Sequence, residues 1–199
     1  MLTDPMMALE ASSNLEKHQA IAYHVREILN LVGEDTNREG LLDTPVRVAK
    51  MFDELLAGMT VDLESVLNTT FEEHTEGPVI VKDITFYSLC EHHMIPFFGK
   101  AHVAYIPGTK IVGLSKLARL VDAASTRLQV QERMTEQIAQ TIETVLEPRG
   151  VMILVEAEHT CMCARGVKKP GSTTTTLATR GLYRENYELR REFFQMIGR

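Results

Sequence analysis

The sequence predicts an α+β fold, with an antiparallel four-stranded sheet, two helices covering one face of it and a helical segment before it. Three observations predict this. Apolar residues recur at helical spacing early in the chain, β-branched residues form runs that come in two pairs, and two amphipathic helical patterns separate these pairs. The order is helices, two strands, two helices, two strands and a final helix, which is typical of two hairpins packed under helices.

The helical segment contains two predicted helices. Gly33 is a natural stop for the first. In the second, Thr44 can cap the helix and Pro45 suits its first position, which leaves Arg47 and Lys50 together on a polar face. The apolar positions of the first helix are Ile21, Val25, Ile28, Leu29 and Val32.

The domain organisation follows from where these patterns begin and end. Residues 1–17 precede the first clear helix and are predicted to be a mobile tail. The N-terminal helical region is then 18–76. Gly77 and Pro78 punctuate the chain, so the main domain is predicted to span 77–199.

Within that domain, the strands are rich in β-branched residues and the helices carry apolar stripes. An open four-stranded sheet has unpaired edges, which favours a homo-oligomer. The predicted strands lie at 79–86, 100–106, 151–156 and 173–179, and the predicted helices at 117–128, 134–146 and 184–196.

Composition excludes several classes of protein. The 199 residues carry a formal charge of -6, which argues against a protein that holds nucleic acid by bulk electrostatics. Apolar runs such as 151–155 are far shorter than the roughly 20 residues that span a bilayer. The first 14 residues lack the basic flank and apolar centre of a secretory signal, so we expect no membrane association and a cytoplasmic location.

The three cysteines point to a metal. Cys90, Glu91, His92 and His93 follow a predicted strand and form a turn of four polar residues. A cysteine and a histidine near each other in a turn can bind one zinc ion. The spacing does not decide between His92 and His93.

A third ligand must come from a second cluster, in which His159, Cys161 and Cys163 would share one face if the segment were extended. Any of the three would complete the site. Two cysteines and one histidine leave a fourth position open for water, as in a catalytic zinc centre. For Cys163 by itself, a small buried hydrophobic side chain without a metal is the simpler interpretation.

Basic residues gather in two places within this acidic chain. Ser115 is a candidate N-cap of a helix, and with Lys116 and Arg119 it forms a candidate phosphate site; a capped helix with solvated charges is the equal alternative. Arg165, with Lys168 and Lys169, follows the second cysteine cluster. Gln131 and Glu132 open the helix after the first basic group.

Four segments together resemble the GTP cyclohydrolase I family, and the resemblance runs from about residue 38, including REGLLDTPVRVAKMF at 38–52, to the C-terminus. It implies a tunnelling fold (T-fold), pentameric rings that pair as a homodecamer, and active sites between subunits. The segments are CEHHMIPFFGKAHVAYIP at 90–107, GLSKLAR at 113–119, QVQERMT at 129–135 and HTCMCARGVKKPGSTTTT at 159–176.

The resemblance also implies a role for each candidate residue. Zn²⁺ would be held by Cys90, His93 and Cys161, with Cys163 outside the ligand set. His92 and His159 would transfer protons, and Glu132 and Gln131 would bind the guanine ring. The implied triphosphate contacts are Ser115, Lys116, Arg119 and Arg165, with Arg47 and Lys50 added from a neighbouring subunit.

The implied reaction converts GTP and water to 7,8-dihydroneopterin triphosphate and formate, by attack of a zinc-activated water on purine C8, as the first step of folate or pterin biosynthesis. One alternative is a nucleotide-binding module in which zinc only staples two loops, with Cys163 as a fourth ligand. Another is a T-fold relative that acts on a different pterin or on a deazapurine.

Overall fold

The computed structural model describes residues 5–73 and 75–199. Residues 1–4 of the predicted tail lie outside this range, and from Pro5 onward the chain is already helical. The chain forms two compact units, residues 5–54 and residues 55–199. The second unit begins at Leu55, and Leu67 is fully buried in its core.

The described part of the first unit contains two α-helices and, between them, a short 3-10 helix at Glu39–Leu41. Helix α1 spans Pro5–Leu31 and ends before Gly33, whose φ of 92° lies in the left-handed region that favours glycine. Helix α2 spans Thr44–Leu55 and buries Pro45 and Ala49. Asp53 on α2 accepts a hydrogen bond from Lys17 on α1 at 2.6 Å and also contacts His18, which ties the two helices together.

The second unit contains the sheet. Its strands and helices follow in chain order: α3 at Leu63–Val66, β1 at Thr70–Glu72, β2 at Val79–Cys90, β3 at Pro96–Ile106, β4 at Lys110–Val112, α4 at Leu114–Ser125, β5 at Leu128–Gln129, α5 at Gln131–Leu146, β6 at Gly150–His159, α6 at Thr160–Cys163, β7 at Thr173–Gly181, α7 at Leu182–Glu185 and α8 at Tyr187–Met196.

The predicted antiparallel sheet is confirmed: β2, β3, β6 and β7 pair antiparallel in that order. The structure adds β5, which pairs parallel to β2 at Leu89 and Cys90, and a separate two-stranded sheet of β1 and β4. Strands of two or three residues are too short to show an alternating pattern, which is why the sequence did not predict them.

Helices α4 and α5 cover one face of the sheet, as predicted, and bury the larger core. The last helix covers part of the other face with a second cluster that includes Phe193 and Met152. It is divided into α7 and α8, because Asn186 has extended backbone angles and its side chain caps α8 by accepting from the Glu188 and Leu189 N–H groups. Among the described residues, no helix is both long and apolar enough to cross a membrane.

Close contact between β3 and β6 depends on Gly99. A Cβ atom at this position would lie 1.9 Å from the Glu156 carbonyl oxygen and 2.7 Å from the Ala157 Cα atom. Both neighbours are backbone atoms of the paired strand, so neither can move without disturbing the ladder.

We therefore expect Gly99→Ala to lower the free energy of unfolding by about 1–3 kcal/mol, the usual cost of overpacking a core. Urea unfolding measures this. Gly77→Ala is the matched control, because a Cβ atom there meets nothing within 4 Å. Equal stability of the two variants would show that the two strands do not require glycine.

Candidate active site

The first part of the site is the turn between β2 and β3. Cys90 ends β2, and its N–H donates to the Ile95 carbonyl at 3.0 Å while its carbonyl accepts from the Met94 N–H at 2.8 Å. Met94 has a φ of 55°, so the chain reverses sharply there. The turn leaves His92 and His93 exposed and keeps Cys90 only 5% exposed.

This turn is also tied to the segment that enters α5. The Glu91 N–H donates to the Gln129 carbonyl at 3.0 Å. The Glu91 carboxylate accepts two hydrogen bonds from the Arg133 guanidinium, at 2.6 and 3.0 Å, and this partner holds the pKa of Glu91 below its usual range. The Arg133 contact is not predictable from local sequence, since α5 is distant from the turn along the chain.

The second part of the site follows β6. The segment after His159 is a helical turn, α6, and not the extended segment in which His159, Cys161 and Cys163 would share one face. The Thr160 hydroxyl donates to the Pro96 carbonyl, which joins α6 to the start of β3. Cys163 has its own partner, the Lys169 carbonyl, which its thiol meets at 3.5 Å.

Three metal-capable side chains meet where these two parts touch. The ligand atoms of Cys90, His93 and Cys161 all lie within 4.8 Å of one another. Burial raises the pKa of the Cys161 thiol, and the adjacent Cys90 raises it further. A divalent cation would stabilise both thiolates at once, so this donor set fits zinc and leaves a fourth coordination position open.

His92 belongs to the same turn as His93. Its Nδ1 atom lies 3.8 Å from the Cys90 sulfur, against 3.9 Å for the Nδ1 atom of His93. Distance to Cys90 therefore does not separate the two histidines. Only His93 also belongs to the cluster with Cys161 among the described residues.

His159 lies at the end of β6 in a partly buried position. Its ring stacks on the Phe97 ring with centroids 4.6 Å apart and an interplanar angle of 4°. Its Nε2 atom lies 2.8 Å from the Gln131 side-chain oxygen. Burial lowers the pKa of His159, and the negative charge of Glu132 opposes this shift.

Gln131 is buried next to His159 at the start of α5. Its side chain is 1% exposed, and its amide nitrogen lies within hydrogen-bond distance of the Val155 and Thr174 carbonyls, both at 3.0 Å. Its amide oxygen meets His159. Because both ends of the amide have protein partners, a contact between its side chain and a guanine ring would have to replace one of these hydrogen bonds. Glu132, the next residue, is exposed in the first turn of α5.

The basic residues of α4 line a cleft of about 460 Å³. Lys116 donates to the Asn68 side chain at 2.9 Å, and Arg119 is exposed one turn further along. The prediction that Ser115 caps this helix is wrong: Gly113 occupies the N-cap position, and Ser115 is exposed within the first turn. The cleft is lined by residues 57–68 and 116–126, a set that does not include the metal donors.

The other predicted cations lie in different places. The Arg165 guanidinium donates to the Nε2 atom of His93 at 2.7 Å, so it reaches the candidate metal centre. Arg47 and Lys50 are exposed on α2, which belongs mainly to the first unit, and Arg47 pairs with Asp43 at 3.3 Å.

The chain is similar to known proteins over most of its length. The sequence model of the GTP cyclohydrolase I family matches residues 21–198. Relatives named GTP cyclohydrolase 1 include one from Geobacillus kaustophilus, 57% identical and covering 89% of this chain and 95% of that protein. Those from Bacillus subtilis and Streptococcus pyogenes are each 54% identical; they cover 91% and 94% of this chain, and 96% and 95% of their own lengths.

Proposed function

Because the chain belongs to the GTP cyclohydrolase I family, we propose that it opens the purine ring of GTP at a zinc centre held by Cys90, His93 and Cys161. The reaction consumes water and releases formate and 7,8-dihydroneopterin triphosphate, at the entry to folate and pterin biosynthesis. The observation that carries the assignment is the meeting of these three donors within 4.8 Å, with the partly buried His159 two residues before Cys161.

Zinc, when bound, supplies Lewis-acid activation of the water that attacks C8 of the purine. The chain itself supplies the ligands from two turns whose backbones are fixed by hydrogen bonds at Cys90 and Pro96. Because three side chains complete the donor set, one position stays available to water. Cys163 is left out of the set because its thiol meets the Lys169 carbonyl, which disfavours a closed structural zinc with four protein ligands.

We assign proton transfer to His159 and His92. His159 is held by Phe97 and Gln131, and its lowered pKa keeps it neutral and able to accept a proton near pH 7. His92 is exposed on the metal turn, where substrate can reach it.

We assign recognition of the guanine ring to Glu132. Its exposed carboxylate lies in the first turn of α5, directly after the residue that holds His159. A carboxylate can accept from the ring N–H and the exocyclic amino group of guanine as a pair.

The triphosphate is assigned to Ser115, Lys116, Arg119 and Arg165. The positive charges of Lys116, Arg119 and Arg165 offset the charge of the nucleotide within a chain of net charge -6. Arg47 and Lys50 are proposed to join them from a neighbouring subunit.

We also propose assembly as a homodecamer of two pentameric rings in the cytoplasm. The sheet supports an assembly of this kind, since β7 lies at one edge and only the two-residue β5 follows β2 at the other. In the described part of the chain, most of β2 and β7 therefore has one side available for pairing with another subunit.

Replacing Cys161 by Ser is expected to remove both bound zinc and formate release from GTP, because the site loses one of three ligands. Cys163→Ser is the matched control and is expected to keep both. Metal analysis and a formate assay, with the pterin product followed by its absorbance, measure the two effects. Equal loss in the two variants would show that the ligand set is wrong, and a wild-type protein without formate release under any metal condition would overturn the hydrolase assignment.

Glu132→Gln is expected to lower kcat/KM for GTP by about 10²-fold while leaving zinc content unchanged, because the guanine ring loses a charged acceptor. Steady-state kinetics with metal analysis test this. Glu136→Gln removes the same charge one turn along α5, where the carboxylate pairs with Arg180 instead. Unchanged turnover in Glu132→Gln would remove this residue from the site.

A further inference from the structure

The buried amide of Gln131 makes a set of contacts that binding of a base does not explain. We propose that Gln131 is a positioning residue: its amide oxygen accepts a hydrogen bond from Nε2–H of His159, which fixes the orientation of the ring and leaves Nδ1 as the nitrogen available to substrate or water. The inference rests on the proposed place of His159 in the active site.

The orientation of the Gln131 amide is set by what surrounds it. Its nitrogen lies 3.0 Å from the carbonyl oxygens of Val155 and Thr174, and these atoms accept hydrogen bonds but cannot donate them. If the amide were rotated by 180°, its oxygen would face both carbonyls without a proton between them. The NH₂ group must therefore point toward β6 and β7, and the oxygen toward His159.

Two threonines complete this arrangement. The Thr135 hydroxyl donates to the Gln131 backbone carbonyl at 2.8 Å, so it can only accept from Thr176, whose hydroxyl lies 2.6 Å away. The Thr176 hydroxyl oxygen also lies 3.1 Å from the Gln131 amide nitrogen, whose two protons are therefore shared among three acceptors. Each hydroxyl proton has one place to go, and the network supports a single orientation of the amide.

The tautomer of His159 follows from this orientation. The Gln131 oxygen, 2.8 Å from Nε2, is an acceptor, so Nε2 must carry the proton. Stacking on Phe97 fixes the plane of the ring, and turning the ring over would replace Nε2 by a carbon atom and lose the hydrogen bond. Within residues 5–73 and 75–199, Nδ1 of His159 makes no hydrogen bond to protein, so it is the nitrogen left for substrate or water.

Three variants separate this role from a purely structural one. Methionine is similar in size to glutamine but cannot accept a hydrogen bond from Nε2 of His159, so Gln131→Met removes this contact. Gln131→Glu keeps an acceptor oxygen for Nε2, and as a neutral acid it can still donate to one carbonyl. Gln137→Met is the matched control, because Gln137 lies on the same helix and accepts a hydrogen bond from buried Gln129 at 2.8 Å without contacting His159.

The direct test is neutron crystallography of the zinc-loaded wild-type protein at neutral pD, which locates the deuteron on the His159 ring. We expect it on Nε2. A deuteron on Nδ1 alone would overturn the proposal, whatever the activity of the protein.

The kinetic test uses GTP turnover. Gln131→Met is expected to lower kcat by about 10- to 100-fold with zinc content unchanged, the usual cost of losing a group that orients a functional side chain. KM for GTP should stay within about threefold of wild type, because no contact to substrate is lost. Gln131→Glu should recover most of kcat, and Gln137→Met should match wild type.

Two kinetic outcomes would contradict the proposal: a loss confined to KM, which would mean that Gln131 binds the base, and a loss in Gln131→Met no greater than in Gln137→Met. If Gln131→Met does not fold, the neutron structure and the Gln131→Glu variant still decide. A wild-type protein that releases no formate would overturn the proposed function, and the position of the deuteron would remain a separate result.

Discussion

Pairing between β3 and β6 is the interaction on which the site depends. The two strands run antiparallel along their whole lengths, from Phe97 opposite His159 to Ile106 opposite Gly150. This register places the start of β3 beside the end of β6, so the turn that carries Cys90 and His93 meets the turn that carries Cys161. A shift of one residue would move every side chain of a strand to the other face of the sheet.

The first turn of α5 organises the rest of the site through three consecutive residues with different surroundings. Gln131 is buried and holds His159, Arg133 pairs with Glu91 in the metal turn, and Glu132 lies between them with an exposed carboxylate. Successive residues on a helix point in directions about 100° apart, so one turn can support a histidine, brace a loop and present a carboxylate. The helix thereby links the position of the metal donors to the position of the proposed base-binding group.

The basic residues proposed to bind the triphosphate lie in two separate places. Arg165 reaches the metal turn, whereas Lys116 and Arg119 line a cleft whose residues do not include the metal donors. This separation of Lys116 and Arg119 from the metal donors within one chain fits active sites built between subunits, which the family resemblance implies. An assembly that joins sheet edges would bring together groups that a single chain keeps apart.

The sequence by itself determined the class of fold, the order of the four long strands and the residues able to bind a metal, because these depend on local periodicity and on the chemistry of Cys90, His93 and Cys161. It did not separate His92 from His93 without the family resemblance, and it was this resemblance that placed Gln131 among the substrate-binding residues. Only the tertiary structure decided that Gln131 is buried against His159 and the carbonyls of β6 and β7. The backbone carbonyls that the amide nitrogen contacts lie 24 and 43 residues away along the chain, and His159 lies 28 residues away. No local sequence pattern records contacts over such separations. They form because α5 packs on the sheet.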